Sequence, residues 1–464
     1  MTKKSGGIGR RDKCGRREFL ATAAAMAALP TVAHLPRRLR PVPTPQQLAW
    51  QRDELAMFIH FGVNTFSNRE WGDGTEDPTS FAPTSLDARQ WARTAHAAGF
   101  RAMILTAKHH DGFCLWPTAT TQHSVANSPF RGGAGDVVGE FVTACRSEGL
   151  RVGLYLSPWD QNATSYGDSP RYNDFYLAQL TELLTRYGRI HEVWFDGANG
   201  EGPNGKRQRY DWPSVWRTVR RLQPEAVIFS DAGPDLRWIG NERGAAGETN
   251  WSTVDPSVVT EPGMSGQVVM RQLQEGDPTG TVWRPGETDV SIRPGWFWHP
   301  AEDGKVRSTD DLVDLYFSSV GRNSKLLLNV PPTGAGLLHE TDVTRLLAMH
   351  ERLGTIFGTP LTGSNMSWQS TGATSGSALL DGLPAGSHIE VIDLQEQITM
   401  GQRVARYVVE ARDNGKWEEV ARGTTIGYRR LHRIEPRRVS GLRLRLIETV
   451  DQPLPVAIRT YRAG

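Results

Sequence analysis

The chain has 464 residues, of which 38% are hydrophobic and 22% charged, with a formal net charge of +2. This is the makeup of a globular protein long enough for two or three domains. So balanced a charge gives no field that argues for nucleic acid or an anionic membrane as partner, and it suits a neutral polyhydroxylated partner such as a sugar equally well.

The N-terminus reads as an export signal. Arg16-Arg17-Glu18-Phe19-Leu20 leads into an apolar, Ala-rich run from Ala21 to Leu29 and then a small-residue exit. Residues 1–34 are therefore expected to be a twin-arginine signal peptide, with a periplasmic or extracellular destination. The run is too short for a permanent anchor, and no other stretch is apolar enough to span a bilayer, so no membrane partner is expected of the mature form. Cys14 lies in this segment, and Cys114 and Cys145 alone make no disulfide scaffold. Residues 35–47 are Pro-rich and basic and read as a linker.

From 48 to 355, short apolar runs alternate with amphipathic stretches. Strands are predicted at 56–61, 102–106, 152–156, 192–195, 226–229 and 326–330. Helices are predicted at 86–98, 137–148, 172–187, 213–222, 310–320 and 342–353, the first three stopped by Gly99, Gly149 and Gly188. Such alternation means an α/β fold with a parallel sheet and helical crossovers. An open doubly wound sheet is the rival. However, nearly every predicted strand runs into a polar or aromatic cluster at its C-terminal end: His60, Lys108-His109-His110-Asp111, Pro158-Trp159-Asp160, Asp196-Gly197 and Ser230-Asp231. Groups supplied by many strand ends converge on one face only in a barrel, so a (β/α)8-like barrel is expected. The stretch from 240 to 300 is irregular and leaves the later strands unassigned. Beyond Gly358-Thr359-Pro360, residues 360–464 show short alternating runs and no strong helix, which predicts a C-terminal all-β sandwich.

Several strand ends carry chemistry. Val193-Trp194-Phe195-Asp196-Gly197 pushes a carboxylate out of the core, and the Gly-rich loop that follows makes helix capping a poor explanation for it. His109-His110 reads as a pair of sugar hydrogen-bonders, metal ligands or a solvated turn. Glu70-Trp71, a carboxylate beside an indole, suits a sugar subsite or a surface turn.

FIHFGVNTF, Glu70-Trp71, AKHHDGFCLW, GLYLSPWD and VWFDG occur in this order over residues 48 to 350. Together they resemble the α-L-fucosidases of glycoside hydrolase family 29. The resemblance implies a retaining exo-glycosidase that cleaves L-fucose from fucosylated oligosaccharides on a barrel, without metal or cofactor. It also implies that Asp196 is the nucleophile and that His60, Glu70, Trp71, His109, His110, Tyr155 and Trp194 hold the fucose ring.

Candidates for the general acid/base are Glu242, Glu248, Glu261 and Glu287. The segment PDLRWIGNERG is similar to the acid/base segment of the subfamily acting on α-1,3/4-linked fucose, which favours Glu242 over Glu287. SIRPGWFWH, with Trp296 and Trp298, resembles the same subfamily, and Trp296 is expected to cover the fucose methyl group. A retaining pair of carboxyls stands roughly 5–5.5 Å apart, the acid needing a raised pKa while its partner stays ionised. Two competing readings are a catalytically weak fucose-binding protein and a metal-dependent barrel hydrolase.

Overall fold

The computed structural model describes residues 40–462 apart from 362, 364 and 385. The expected signal, residues 1–34, lies outside the described residues. The expected linker ends earlier than 47, because helix α1 occupies Pro45–Asp53. Thr44 and Gln47 form a reciprocal capping box, with Pro45 in the first turn, where its missing N–H costs nothing. Gln47 Nε2 also donates to the carbonyls of Asp235 (2.8 Å) and Trp283 (2.9 Å), which docks α1 against the barrel.

The barrel is built from β1 (Leu55–Ile59), β2 (Ala102–Lys108), β3 (Arg151–Leu156), β4 (Glu192–Trp194), β5 (Val227–Phe229) and β6 (Arg237–Trp238). After a short antiparallel pair of β7 (Thr253–Val254) and β8 (Val282–Trp283) it is completed by β9 (Gly286–Ser291) and β10 (Ser324–Asn329). The eight barrel strands are all parallel, in the order β5-β4-β3-β2-β1-β10-β9-β6. Met57 of β1 lies opposite Met103 on one side and Leu328 on the other. The seam between β5 and β6 is held by the N–H groups of Asp235 (3.3 Å) and Leu236 (3.2 Å), both donating to the Ile228 carbonyl.

A short helix α2 (Val63–Ser67) follows β1. The crossover helices are α3 (Ala88–Ala97), α4 (Val137–Ser147), α5 (Ser169–Arg186), α6 (Trp212–Leu222), α7 (Gln267–Glu275), α8 (Thr309–Ser318) and α9 (Glu340–Phe357). Asp87, Asp136 and Asp211 cap α3, α4 and α6 with their carboxylates. Gly99, at φ +84°, takes the left-handed conformation just past α3 that the sequence predicts for a helix stop. No helix joins β5 to β6, so this is a (β/α)8-like barrel lacking one crossover helix. None of the described helices is long and apolar enough to cross a membrane.

Alternation along the strands sorts two apolar layers. Phe58, Ile104, Tyr155, Trp194 and Leu327 fill the barrel interior, while Met57, Ile59, Met103 and Leu105 pack outward against the helices.

The C-terminal region is a sandwich of two antiparallel sheets. One contains β11 (Asn365–Gly372), β12 (Ser375–Asp381), β14 (Val404–Asp413), β15 (Lys416–Gly423) and β17 (Gly441–Thr449). The other contains β13 (His388–Glu396), β16 (Arg430–Arg438) and β18 (Val456–Arg462). Their shared core includes Leu380, Ile392, Val409 and Leu444. Arg429, just ahead of β16, ties sandwich to barrel. It reaches both oxygens of Glu54 at 3.1 Å, the Tyr316 hydroxyl at 2.6 Å and Asp393 at 3.1 Å, and its guanidinium lies 4.6 Å from the Phe357 ring centre.

Candidate active site

The strands end around a cavity of about 340 Å³ at their C-terminal side. His60 follows β1, His109 and His110 follow β2, Tyr155 belongs to β3, Trp194 closes β4 and Asp196 stands two residues beyond it. Asp231 follows β5, Trp238 closes β6, Glu242 sits in the next loop, Asp289 belongs to β9 and Trp296 follows it; all of these line the cavity. Every barrel strand but β10 thus contributes through its own end, as a barrel allows and an open sheet does not.

Aromatic rings form the apolar part. Trp194 stacks on Phe229 with ring centres 4.1 Å apart and planes at 11°, and it lies 5.3 Å from Phe58 and 5.2 Å from Tyr155. Its indole N–H donates to Glu287 Oε1 at 3.0 Å, which fixes the ring plane. Trp296 lies 5.1 Å from His60 on another side. Trp71 stands at the rim, 62% exposed, with its ring 6.5 Å from that of His110.

Burial disfavours the charged form of all three cavity histidines. Burial drives the His60 pKa down to about 3, despite a hydrogen bond to Asn329. Burial likewise lowers His109 well below the ordinary range, with His110 and His60 adding to the effect, and it lowers His110 against the opposing field of Asp196. Ser157 Oγ donates to the Trp159 carbonyl at 2.7 Å, so it must accept from His110 Nδ1, also at 2.7 Å. His110 Nε2 therefore carries a lone pair. Among the described residues no three His, Cys, Asp or Glu side chains gather as a metal cage.

The carboxyls differ in setting. Asp196 is half-buried and held in orientation by two donors, the Ala198 N–H at 2.6 Å and the Tyr155 hydroxyl at 3.3 Å. Glu242 stands on the rim, where its residue surface is exposed while its carboxyl faces the crowded cavity. Desolvation raises its pKa, the charges of Asp196 and Glu70 add to this, and a hydrogen bond from Trp296 opposes it. Burial also raises Asp231, to about 6, and raises Asp289 well above the carboxylate range, with Glu242 and Asp196 contributing. Asp231 accepts from the Gly263 N–H at 2.9 Å and Asp289 from the Trp238 indole at 2.8 Å.

The other acid candidates lie elsewhere. Glu287 is fully buried inside the barrel, where desolvation first, then Glu192, pushes its pKa well up. Glu248 is paired with Arg322 and Arg430, and Glu261 is exposed. Arg237, buried beneath the loop that carries Glu242, bonds Asn250 Oδ1 at 2.6 Å and the Leu273 carbonyl at 3.0 Å.

One expected sugar contact does not line the cavity. Glu70 accepts from the backbone N–H groups of Trp296 and, at 3.4 Å, Phe297, and it meets His299 Nε2 at 3.0 Å. Three donors on one short segment draw its carboxylate to the backbone that carries Trp296. Trp298 is likewise turned away, its indole bonded to Asp303 at 3.0 Å. The lining groups that sequence reasoning did not assign to the site are Phe58, Ala198, Asp231 and Trp238. Asp231 was visible as a polar strand end, and that position alone could have nominated it.

Residues 50–355 match the family model for alpha-L-fucosidase. An alpha-L-fucosidase 1 of Arabidopsis thaliana is 45% identical over 430 residues, covering 86% of this chain and 83% of that one. The crystal structure of a glycoside hydrolase 29 family member from an unknown rumen bacterium superposes with a TM-score of 0.85 at 41% identity, over 92% of this chain and 78% of that one. A Ruminococcus gnavus GH29 fucosidase in complex with fucose gives 0.81 at 31% identity, over 92% and 96%. The chain belongs to the alpha-L-fucosidase family, glycoside hydrolase family 29. As an alpha-L-fucosidase it is a glycoside hydrolase acting on fucosylated substrates, and the cavity suits that chemistry. Neutral imidazole nitrogens and carboxyls meet hydroxyls, while indole and phenyl rings meet the C–H faces of a sugar.

Proposed function

We propose that this fucosidase works as a retaining exo-enzyme on terminal α-1,3/4-linked L-fucose, with Asp196 as nucleophile and Glu242 as general acid/base. The observation that carries the reading is the pairing of these two carboxyls in one cavity, with the Glu242 pKa raised and Asp196 held by two donors. In the first step Asp196 attacks the anomeric carbon while Glu242 gives its proton to the departing oxygen. In the second, Glu242 takes a proton from water, which displaces the Asp196 ester. His60, His109 and His110 offer nitrogens to the ring hydroxyls, and Trp296 covers the methyl group.

The linkage preference rests on the resemblance of the segments around Glu242 and Trp296 to the α-1,3/4 subfamily, and it is supported by the hydrogen bond through which Trp296 meets Glu242. The paired arginines Arg16 and Arg17 support export to the periplasm or beyond.

A panel of α-1,2-, α-1,3/4- and α-1,6-fucosides at equal concentration tests the specificity, and anomer-resolved NMR of the first product tests retention. Faster cleavage of an α-1,2 disaccharide than of a branched Lewis-type trisaccharide removes the linkage claim and leaves the fucosidase standing. Glu242→Ala should slow the trisaccharide by about 100- to 10,000-fold while sparing the first step on an activated aryl fucoside, whose phenol leaves without a proton. Equal damage to both would take the acid role from Glu242.

A further inference from the structure

Residues 239–252, between β6 and β7, have two halves with different partners. The first half brings Glu242 to the cavity. The second half is fastened by the sandwich. Asn250, fully buried, donates its backbone N–H to Thr425 Oγ1 at 2.9 Å, and its carbonyl accepts from Gln402 Nε2 at 3.1 Å. Gln402, equally buried, turns its Oε1 to the Ser252 N–H at 2.7 Å. The hydroxyls of Thr249 and Thr424 meet at 2.8 Å, and Arg430 Nη1 donates to the Glu248 carbonyl at 2.8 Å while pairing with its carboxylate.

Short contacts continue from this anchor to Glu242. Ala246 N–H donates to the Ser318 carbonyl at 2.9 Å, and Gly244 sits so close to Leu315 and Val290 that a Cβ there would lie 2.7 Å from each. Asn241 then closes the turn around Glu242, donating to the Ala245 carbonyl at 3.0 Å and accepting from the Arg243 N–H at 3.1 Å.

We infer that the C-terminal sandwich takes part in catalysis at one remove: Gln402, Thr425 and Arg430 are positioning residues that hold the loop presenting Glu242 to the departing sugar. The inference rests on Glu242 being the proton donor. A loop with no helix or strand of its own must be ordered by something else. The sandwich supplies that order by satisfying the Asn250 and Ser252 N–H groups, which would otherwise be buried without partners, and it shares the Asn250 carbonyl with Asn323 Nδ2 of the barrel at 2.9 Å. Its side chains reach the backbone of this loop, so loosening them releases the acid and leaves the nucleophile on β4 where it is.

The test is the double variant Thr425→Val/Gln402→Leu, which keeps side-chain bulk and removes three hydrogen bonds to the loop. It should lose roughly tenfold to a hundredfold in kcat/KM on a Lewis-type trisaccharide, the cost of a small displacement of a catalytic group. On an activated aryl fucoside the first step should stay within about twofold, since that step needs no acid. Thr425→Ser, which restores the acceptor, should recover the trisaccharide rate in the Gln402 wild-type background. Should the double variant fail to fold, Thr424→Val on the half-buried edge gives the same comparison. Equal loss on both substrates, or no loss on either, overturns the inference. Glu242→Ala runs in parallel. If it discriminates between the substrates and the sandwich variants do not, the inference alone fails. If it does not discriminate, the assignment of Glu242 fails first.

Discussion

His60 Nδ1 stands 2.8 Å from Asn329 Oδ1, and the Asn329 amide nitrogen is already committed to the Trp296 carbonyl at 2.8 Å and Ser291 Oγ at 2.9 Å. Because a carbonyl only accepts, the amide orientation is fixed, and so is the direction of the next bond: His60 Nδ1–H donates and Nε2 keeps its lone pair. Asn329 at the end of β10 thereby leaves a hydrogen-bond acceptor on the neutral His60 ring, which lines the cavity.

Asn329→Asp should turn this arrangement into a pH switch. A carboxylate beside the ring favours imidazolium and should raise the His60 pKa from about 3 by roughly one to three pH units. Protonation fills Nε2, so kcat/KM of the variant should fall as pH drops through the raised value. The parent enzyme should show no such limb from His60 above its own low pKa. Superimposable acid limbs would contradict the assignment.

On the proposed mechanism, Asp196→Ala should lower turnover by several orders of magnitude without unfolding the barrel, because a half-buried nucleophile would form a covalent bond that no neighbour can replace. Azide should partly restore activity on an aryl fucoside by occupying the vacated space, and the product should be a fucosyl azide of inverted configuration. Near-normal turnover would rule out Asp196 as nucleophile.

Arg429→Leu should destabilise the whole unit by about 3–5 kcal/mol, since it strands Glu54 and the buried Asp393 carboxylate against each other. Denaturant titration reads this directly. A loss under about 1 kcal/mol, the worth of an exposed pair, would mean that water replaces the guanidinium.

Replacing Arg16 and Arg17 together by Lys should keep the precursor in the cytoplasm, because twin-arginine export reads the guanidinium pair and not only its charge. Cell fractionation decides it, and unchanged export would favour the general secretory route.

The strands that sequence periodicity located are those whose residues are apolar on both faces. β1, β2, β3 and β10 read clearly because interior and helix-facing positions alike are hydrophobic. β9 did not, since Gly286–Ser291 is polar in composition yet wholly buried, its Glu287 and Asp289 answered by the indole N–H groups of Trp194 on β4 and Trp238 on the neighbouring β6. β6 is two residues long and has no periodicity to detect. In the sandwich, β11 is an exposed edge and β16 is dense with arginine, so neither shows the alternation of a half-buried strand. Glu70 marks a different limit. Its place in a motif was legible, but which donors its carboxylate would choose depended on a segment more than two hundred residues away.

The missing helix between β5 and β6 leaves the barrel with one weak seam. Elsewhere neighbouring strands share ladders of backbone bonds, whereas here two N–H groups converge on the single Ile228 carbonyl and the Ile228 N–H turns to the Asp235 side chain at 2.7 Å. Native-state hydrogen exchange should therefore find Asp235 and Leu236 exchanging through a local opening that leaves the amides of β2 protected. The staves beside this seam lead into the loops bearing Asp231 and Glu242, so an opening there would act first on the wall of the cavity that these two carboxyls line.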